Sequence, residues 1–420
     1  MPKLIINANE VITVAGTSPK TKKAMSDIGV LTNTAILIDG EQIIAVDTLE
    51  RLEASHPELT AIAERIDASG KIVLPGFVDC HTHLVHGGTR ENEFQMRLEG
   101  STYMDIMNAG GGIHNTTSCT QQASFDELYE KATNNLNKFL LHGVTTVEAK
   151  SGYGLNWETE RKQLLVTKKL NETHKVDLVS TFMGAHAVPK EYKGNEDAFV
   201  DLIIEQMLPQ VAEEGLAEFN DVFCEHGVFT PEQSRRILEA GKKLGLTAKI
   251  HADEIEPYEG AELAAEVGAI SAEHLLVASD KGIEAMAKVG TIGVLLPGTA
   301  FFLRAPFARG RLMIDSGVPV AISTDFNPGS SPTINLQFVM NLACMKMGMT
   351  MEEVITATTL NAACAINRGH LVGSIEAGKQ ADIVILDVAN YKQMQYFYGM
   401  NHVHSVIKKG ELVVAGGVLL

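Results

Sequence analysis

No stretch of this chain approaches the roughly 20 apolar residues needed to cross a bilayer, and its start, MPKLIINANE, lacks the basic segment and apolar core of a secretory signal. The sequence therefore predicts a cytoplasmic protein with no membrane partner. Cysteine is scarce as well: Cys80, Cys119, Cys224, Cys344 and Cys364 are odd in number, widely spread and form no CxxC pair. That argues against a disulfide frame or a cysteine zinc site and predicts buried thiols. Basic charge is also in deficit. With 35 Lys and Arg against 52 Asp and Glu, the net charge is −17, which repels phosphates and excludes a general nucleic-acid surface. An anionic substrate would need a local basic clamp. There is no long polar low-complexity run, and 45% hydrophobic residues with 21% charged describe an ordinary folded chain.

Short β-type runs fill both ends: KLIINANEVITV, AILIDGEQIIAV and KIVLPG at the start, ADIVILD and SVIKKGELVVAGGVLL at the finish. Val and Ile alternate with polar residues there, and Gly or Asp-Gly marks the turns, as in antiparallel pairs. The middle changes character, with apolar runs alternating with helical stretches such as SFDELYEKATNNLNKFLLHG and PEQSRRILEAGKKLG. Eight candidate strands are counted at 72–79, 144–149, 177–183, 221–226, 246–251, 269–274, 290–296 and 318–324. The expectation is an α/β fold: a (β/α)8 TIM-like barrel over 73–371, with a small β-sandwich domain made from both termini, 1–72 and 372–420.

Catalytic groups in such barrels gather at the C-terminal ends of strands. Six of the eight runs end in suitable chemistry: His81 and His83 after the first, His186 after the third, then Glu225 with His226, His251, His274 and finally Asp325. In extended chain, His81-Thr82-His83 places two imidazoles on one face about 6 to 7 Å apart, near enough to share an ion. His251 in KIHADE reads as a further ligand or as a hydrogen-bonded core histidine; Asp325 in STDFNPGSSP reads as a ligand or a turn residue. Their joint placement at one end of one barrel favours a His3Asp site for a single metal ion per subunit, zinc first and iron or manganese next. His274 fits a non-ligand acid, base or carbonyl-polarising group, or a packed histidine at a strand end. Glu254 fits the same shell or the start of a helix.

The surrounding LPGFVDCHTHL resembles the opening signature of the amidohydrolase superfamily. HTHLVHGGTRENEF, GGGI, KSGYGL, GAHAVP, HADE, SAEHL and STDFNPGSSP, in that order over nearly the whole chain, resemble the imidazolonepropionases. Two-metal relatives in the superfamily carry a bridging lysine where this chain has Glu225, which points to one metal. The resemblance implies hydrolysis of 4-imidazolone-5-propanoate to N-formimidoyl-L-glutamate in histidine degradation. It implies metal ligands His81, His83, His251 and Asp325; substrate contacts Arg90, Tyr103, Tyr153, His186, Asn327, Gly329 and Ser330; and Glu254 and His274 in the catalytic shell, Glu254 also touching substrate.

The residue types suit that chemistry. The propionate needs a guanidinium such as Arg90, whose ordinary alternative is a surface ion pair. Asp325 is expected to orient water and take its proton, His274 or the metal to steady the oxyanion, and Glu254 to hold a ring N–H. Rival readings are a deaminase of a guanine- or cytosine-like ring, which would release ammonia, and a catalytically idle barrel used for binding. GTAFFLRAPFARGRL (298–312) reads better as a loop near the site mouth than as a nucleic-acid patch, and the Met-rich NLACMKMGMTMEEVI as helical core or subunit contact. A homodimer is expected by family analogy.

Overall fold

The computed structural model describes residues 1–101 and 111–420. Eight parallel strands lie side by side in chain order: β1 (Phe77–Asp79), β2 (Val144–Lys150), β3 (Asp177–Ala185), β4 (Phe219–Cys224), β5 (Thr247–Ala252), β6 (Ser271–His274), β7 (Ile292–Leu295) and β8 (Val320–Ile322). Helices separate them, two of which show how sequence sets a boundary. The helix Phe125–Leu141 starts at Ser124, whose hydroxyl accepts from Glu127 N while the Glu127 carboxylate accepts from Ser124 N; Thr230 and Gln233 do the same before Pro231–Lys243. Each reciprocal pair satisfies backbone donors that a bare helix end would leave orphaned.

The ring closes between β1 and β8 just past their ends. Asp325 N donates to His81 O at 3.0 Å and His83 N to Phe326 O at 2.9 Å. Asp79 locks the seam: its carboxylate accepts from Thr324 Oγ1 at 2.6 Å and from the Ser323 hydroxyl. The aspartate two residues before the first histidine thus ties together the two chain segments that carry His81, His83 and Asp325.

The expected first strand, 72–79, divides in the structure. Ile72–Pro75 joins a seven-stranded sheet of both termini, pairing antiparallel with Ile383–Leu386, and only Phe77–Asp79 enters the barrel. The break falls at Gly76, where a Cβ would come within 2.4 Å of Thr145 Oγ1, so only glycine fits that close approach. A second, four-stranded sheet (Gln42–Asp47, Ala35–Asp39, Lys3–Ile6, Glu64–Asp67) faces the first. Ile5, Ile36, Ile38, Ile43, Val73, Ile383, Ile385 and Ile407 form one buried cluster that joins strands of both sheets, as in a sandwich. Alternation along each strand puts these side chains on the inner faces. Among the described residues, no helix is long and apolar enough to cross a membrane.

Polar contacts weld sandwich to barrel. Asp177, at the start of β3, meets Lys408 at 2.7 Å and Lys409 at 2.7 Å, and accepts from Gln380 at 2.8 Å. Burial would raise the Asp177 carboxyl, but Lys408 and these hydrogen bonds outweigh it and hold it below its ordinary value. A carboxyl depressed by folding contributes stability above its unfolded value, and that contribution is lost as pH falls through the folded value. Asp177→Asn should therefore cost about 1–3 kcal/mol at neutral pH. The difference from wild type should shrink as pH falls below the ordinary aspartate range and through the depressed folded value. Denaturant unfolding at pH 7 and pH 3 checks it; an equal deficit at both would contradict the assignment.

Candidate active site

His81, His83, His251 and Asp325 converge at the C-terminal mouth of the barrel and all four are buried. Possible ligand atoms of His81, His83 and His251 lie within 4.8 Å of one another. Asp325 Oδ1 is 3.3 Å from His81 Nε2 and 3.9 Å from His83 Nε2. Ligand atoms about 2.0–2.1 Å from one tetrahedral ion are spaced by about 3.3–3.4 Å, so the spread is close to what an ion would gather. His81 Nε2 and His251 Nε2 have no hydrogen-bond partner although buried. Orphaned imidazole nitrogens beside a carboxylate oxygen fit a divalent metal ion.

The opposite edges of the rings show how they are held. His251 Nδ1 lies 3.1 Å from Asp221 Oδ1 in a hydrogen bond, which turns its Nε2 inward. His81 Nδ1 lies 2.5 Å from Glu273 Oε2, a charge contact not aligned as a hydrogen bond. Burial opposes a charge on His81, but Glu273 and Asp325 outweigh it and raise the ring to about 9. His83 and His274 behave oppositely: burial first, and neighbouring imidazoles next, hold both well below the ordinary histidine value.

Asp325 is steered from its other oxygen. Thr299 Oγ1 donates to Oδ2 at 2.5 Å, with Ser330 Oγ at 3.4 Å, leaving Oδ1 facing the histidines. Asp325 and His274 both adopt left-handed backbone, φ 53° and 72°. Such geometry costs about 1–3 kcal/mol per residue and is tolerated where it aims a side chain. His274 lies within ligand distance of His81 and Asp325, and its Nδ1 is 3.6 Å from Glu254 Oε1. Burial first, then the carboxylates of Asp325 and Glu225, push the Glu254 carboxyl up to about 8, so this side chain keeps its proton to higher pH than an ordinary glutamate.

Around this centre His186 stacks on His83 with ring centroids 4.7 Å apart, and Tyr153 sits 5.2 Å from His186; Tyr153 is buried and His186 half-buried. Arg90 reaches the rim, with Nε donating to Glu93 Oε2 at 3.0 Å. Its two terminal nitrogens hydrogen-bond to none of the described residues. Tyr103 lies outside the described residues.

A family model described as amidohydrolase family matches residues 72–413. An imidazolonepropionase of Geobacillus sp. (strain WCH70) is 60% identical over 420 residues, covering 100% of this chain and 99% of that protein. One of Brevibacillus brevis is 61% identical over the same length, again with 100% and 99% coverage. The chain belongs to the imidazolonepropionase family. Among solved structures, an adenosine deaminase from Xanthomonas campestris with bound zinc has TM-score 0.71 at 17% identity, covering 99% of this chain and 94% of that one. Atrazine chlorohydrolase from Arthrobacter aurescens, complexed with zinc and atraton, has TM-score 0.75 at 18%, with 99% and 96% coverage. These last two likenesses show a shared amidohydrolase-type fold.

Among the residues expected from the imidazolonepropionase family to meet substrate, Asn327 also organises its own loop. Its amide donates to Asp325 O and Ser330 Oγ and accepts from Gly329 N and Ser330 N, which uses the full capacity of the group. The side chain therefore shapes the loop that presents Gly329 and Ser330. Gly329 leaves room for Arg90: a Cβ there would stand 1.9 Å from Arg90 Nη1. Gly329→Ala should displace the guanidinium and weaken propionate binding about 10- to 150-fold in KM, with folding stability little changed. Steady-state kinetics against the substrate and a shortened analogue would check it; an equal effect on both would contradict the contact.

His226, which ends the fourth expected strand, does not join the site. The strand stops at Cys224, two residues earlier than expected, and His226 is exposed beside Glu256 at 3.7 Å. Glu225 accepts from His226 N, Ile255 N and Glu256 N, bracing the loop after His251. The residues that sequence reasoning overlooked are Thr299 and the charged group Glu148, Lys150, Asp221, Lys249 and Glu273. Their signal was present: each of those five stands within or at the end of a buried apolar strand, where a charge must find a partner.

Proposed function

We propose that the chain hydrolyses the cyclic amide of 4-imidazolone-5-propanoate to N-formimidoyl-L-glutamate, with one zinc-class ion held by His81, His83, His251 and Asp325. The observation that carries this reading is the buried cluster of three imidazoles and one carboxylate beside a rim guanidinium, in a chain 60% identical to an imidazolonepropionase over its whole length. When bound, such an ion acts as a Lewis acid that brings water's pKa from 15.7 to about 7 and polarises the carbonyl.

The chain's own groups divide the remaining work. Arg90 clamps the propionate, with the loop at Gly329 and Ser330 completing that end of the pocket. Tyr153 and His186 wall the planar ring. Asp325 Oδ1 takes a proton from the attacking water, Oδ2 being kept in place by Thr299. His274, neutral because of its burial, donates toward the oxygen that gains charge. Glu254, proton-bearing, supplies the ring nitrogen as the amide C–N bond breaks. Water's oxygen ends on the former carbonyl carbon as a carboxylate; of its two protons, one replaces the proton that Glu254 gives to the released nitrogen and the other leaves to solvent through Asp325.

The direct test follows the ultraviolet absorbance of the imidazolone with and without a chelator. A chelator-sensitive loss without ammonia release is expected; no such loss would overturn the assignment, and ammonia release would favour a deaminase. We carry a cytoplasmic homodimer as part of this reading. Met345 on the helix Leu336–Met347 is exposed, while Val339, Met340 and Ala343 face the core, and sedimentation measures the oligomer.

A further inference from the structure

Beneath the proposed metal ligands lies a fully buried plug of five charged side chains with no assigned role. Lys150 Nζ, at the end of β2, touches Asp221 Oδ2 at 2.7 Å, Glu148 Oε1 at 2.7 Å and Glu273 Oε2 at 2.9 Å. Lys249 Nζ lies 2.9 Å from Glu273 Oε1 and 3.3 Å from Glu148 Oε1, and donates to Cys80 O. Thr181 Oγ1 donates to Glu148 and Ser271 Oγ to Glu273. Two ammonium groups thus face three carboxylates, leaving one negative charge in excess. The stability of such a group is poor grounds for its presence, since apolar residues of the same volume often do as well or better. Its placement suggests another reason. The two carboxylates that meet the outer edges of His81 and His251, Glu273 and Asp221, both rest on the single ammonium of Lys150.

We propose that Lys150 is a positioning residue for the metal centre. One ammonium bound to Asp221 and Glu273 fixes the oxygens that meet His251 Nδ1 and His81 Nδ1, and so commits the opposite Nε2 atoms to the ion. The path is short: Lys150 holds Oδ2 of Asp221 while Oδ1 of the same carboxylate accepts from His251. It shares Oε2 of Glu273 with His81. The neighbouring Lys249 holds the other oxygen of Glu273, so that carboxylate cannot rotate away. Charge alone predicts the reverse of positioning: removing a buried cation close to the ion would tighten metal binding. The two accounts therefore differ in sign.

The inference rests on the metal site proposed above, and metal affinity of the full-length chain tests it by zinc competition with a chromogenic chelator. Lys150→Met should weaken zinc binding about 10- to 100-fold. It should also shift the visible absorption of the cobalt-substituted protein. The paired variant Lys150→Met with Glu148→Gln keeps the same charge excess and should lose affinity likewise, with folding checked by circular dichroism. Zinc affinity equal to or tighter than wild type in either folded variant would overturn the proposal. Independently of any substitution, nitrogen-15 spectra of the zinc-loaded wild type should show the His251 proton on Nδ1, and a proton on Nε2 would overturn it. Failure of the wild type to bind zinc at all would instead sink the metal-site reading on which this rests.

Discussion

Asp325→Asn should lower kcat by at least about 10³-fold, with metal content measured on the same sample. The carboxylate divides its oxygens between two tasks, Oδ2 accepting from Thr299 and Ser330 and Oδ1 facing His81 and His83. An amide cannot serve both. If its oxygen stays with the hydroxyls, its NH2 group turns toward the ion site and opposes a cation; if it flips, Thr299 faces a donor and loses its acceptor. In neither orientation can it take a proton from water. Full turnover in a variant that holds its metal normally would remove the base role from Asp325.

Glu254→Gln should cost about 10²- to 10⁴-fold in kcat, with KM changed far less. The glutamine keeps the shape and a donor for the ring but has no acidic proton to give. Burial, followed by the nearby Asp325 and Glu225 carboxylates, raises the Glu254 carboxyl to about 8. Only its protonated form can donate, so wild-type kcat should fall as pH rises through that range, and the variant's residual rate should lack this limb. A bound cation draws the transition to lower pH without changing its direction. An unchanged alkaline limb in Glu254→Gln would place the proton elsewhere.

The barrel was legible because its strands are apolar runs spaced by amphipathic helices, and the site because histidines and an aspartate recur where those runs end. What could be read was periodicity and chemical type. What could not be read was side-chain direction beyond a strand end: His226 and His251 both follow apolar runs, yet one faces solvent and the other the cavity. A two-residue shift of the fourth strand decides that difference. Gly76 is a second instance. A continuous apolar run from Ile72 to Asp79 reads as one strand, and the switch between sheets depends on close packing against Thr145, a residue nearly seventy positions away in the chain.

Asn327 shows a third limit. The family resemblance attaches it to substrate, and the structure adds that its amide ties its own loop at Gly329 and Ser330. Asp79 carries the same lesson, because a residue in a signature motif can hold the frame that holds the chemistry. The buried charged plug was the most readable of the overlooked features. VTTVEAK, FNDVFC, TAKIHA and SAEH each bury a charge within a strand, and inside a barrel such charges must meet one another.

The central claim, that three imidazoles and one carboxylate gather one ion on which hydrolysis depends, is met most directly by titrating zinc into chelator-stripped protein while following both bound metal and turnover. The account predicts that activity, absent from the stripped protein, returns linearly and saturates at one ion per chain. Full turnover in protein shown by elemental analysis to carry no metal would contradict it.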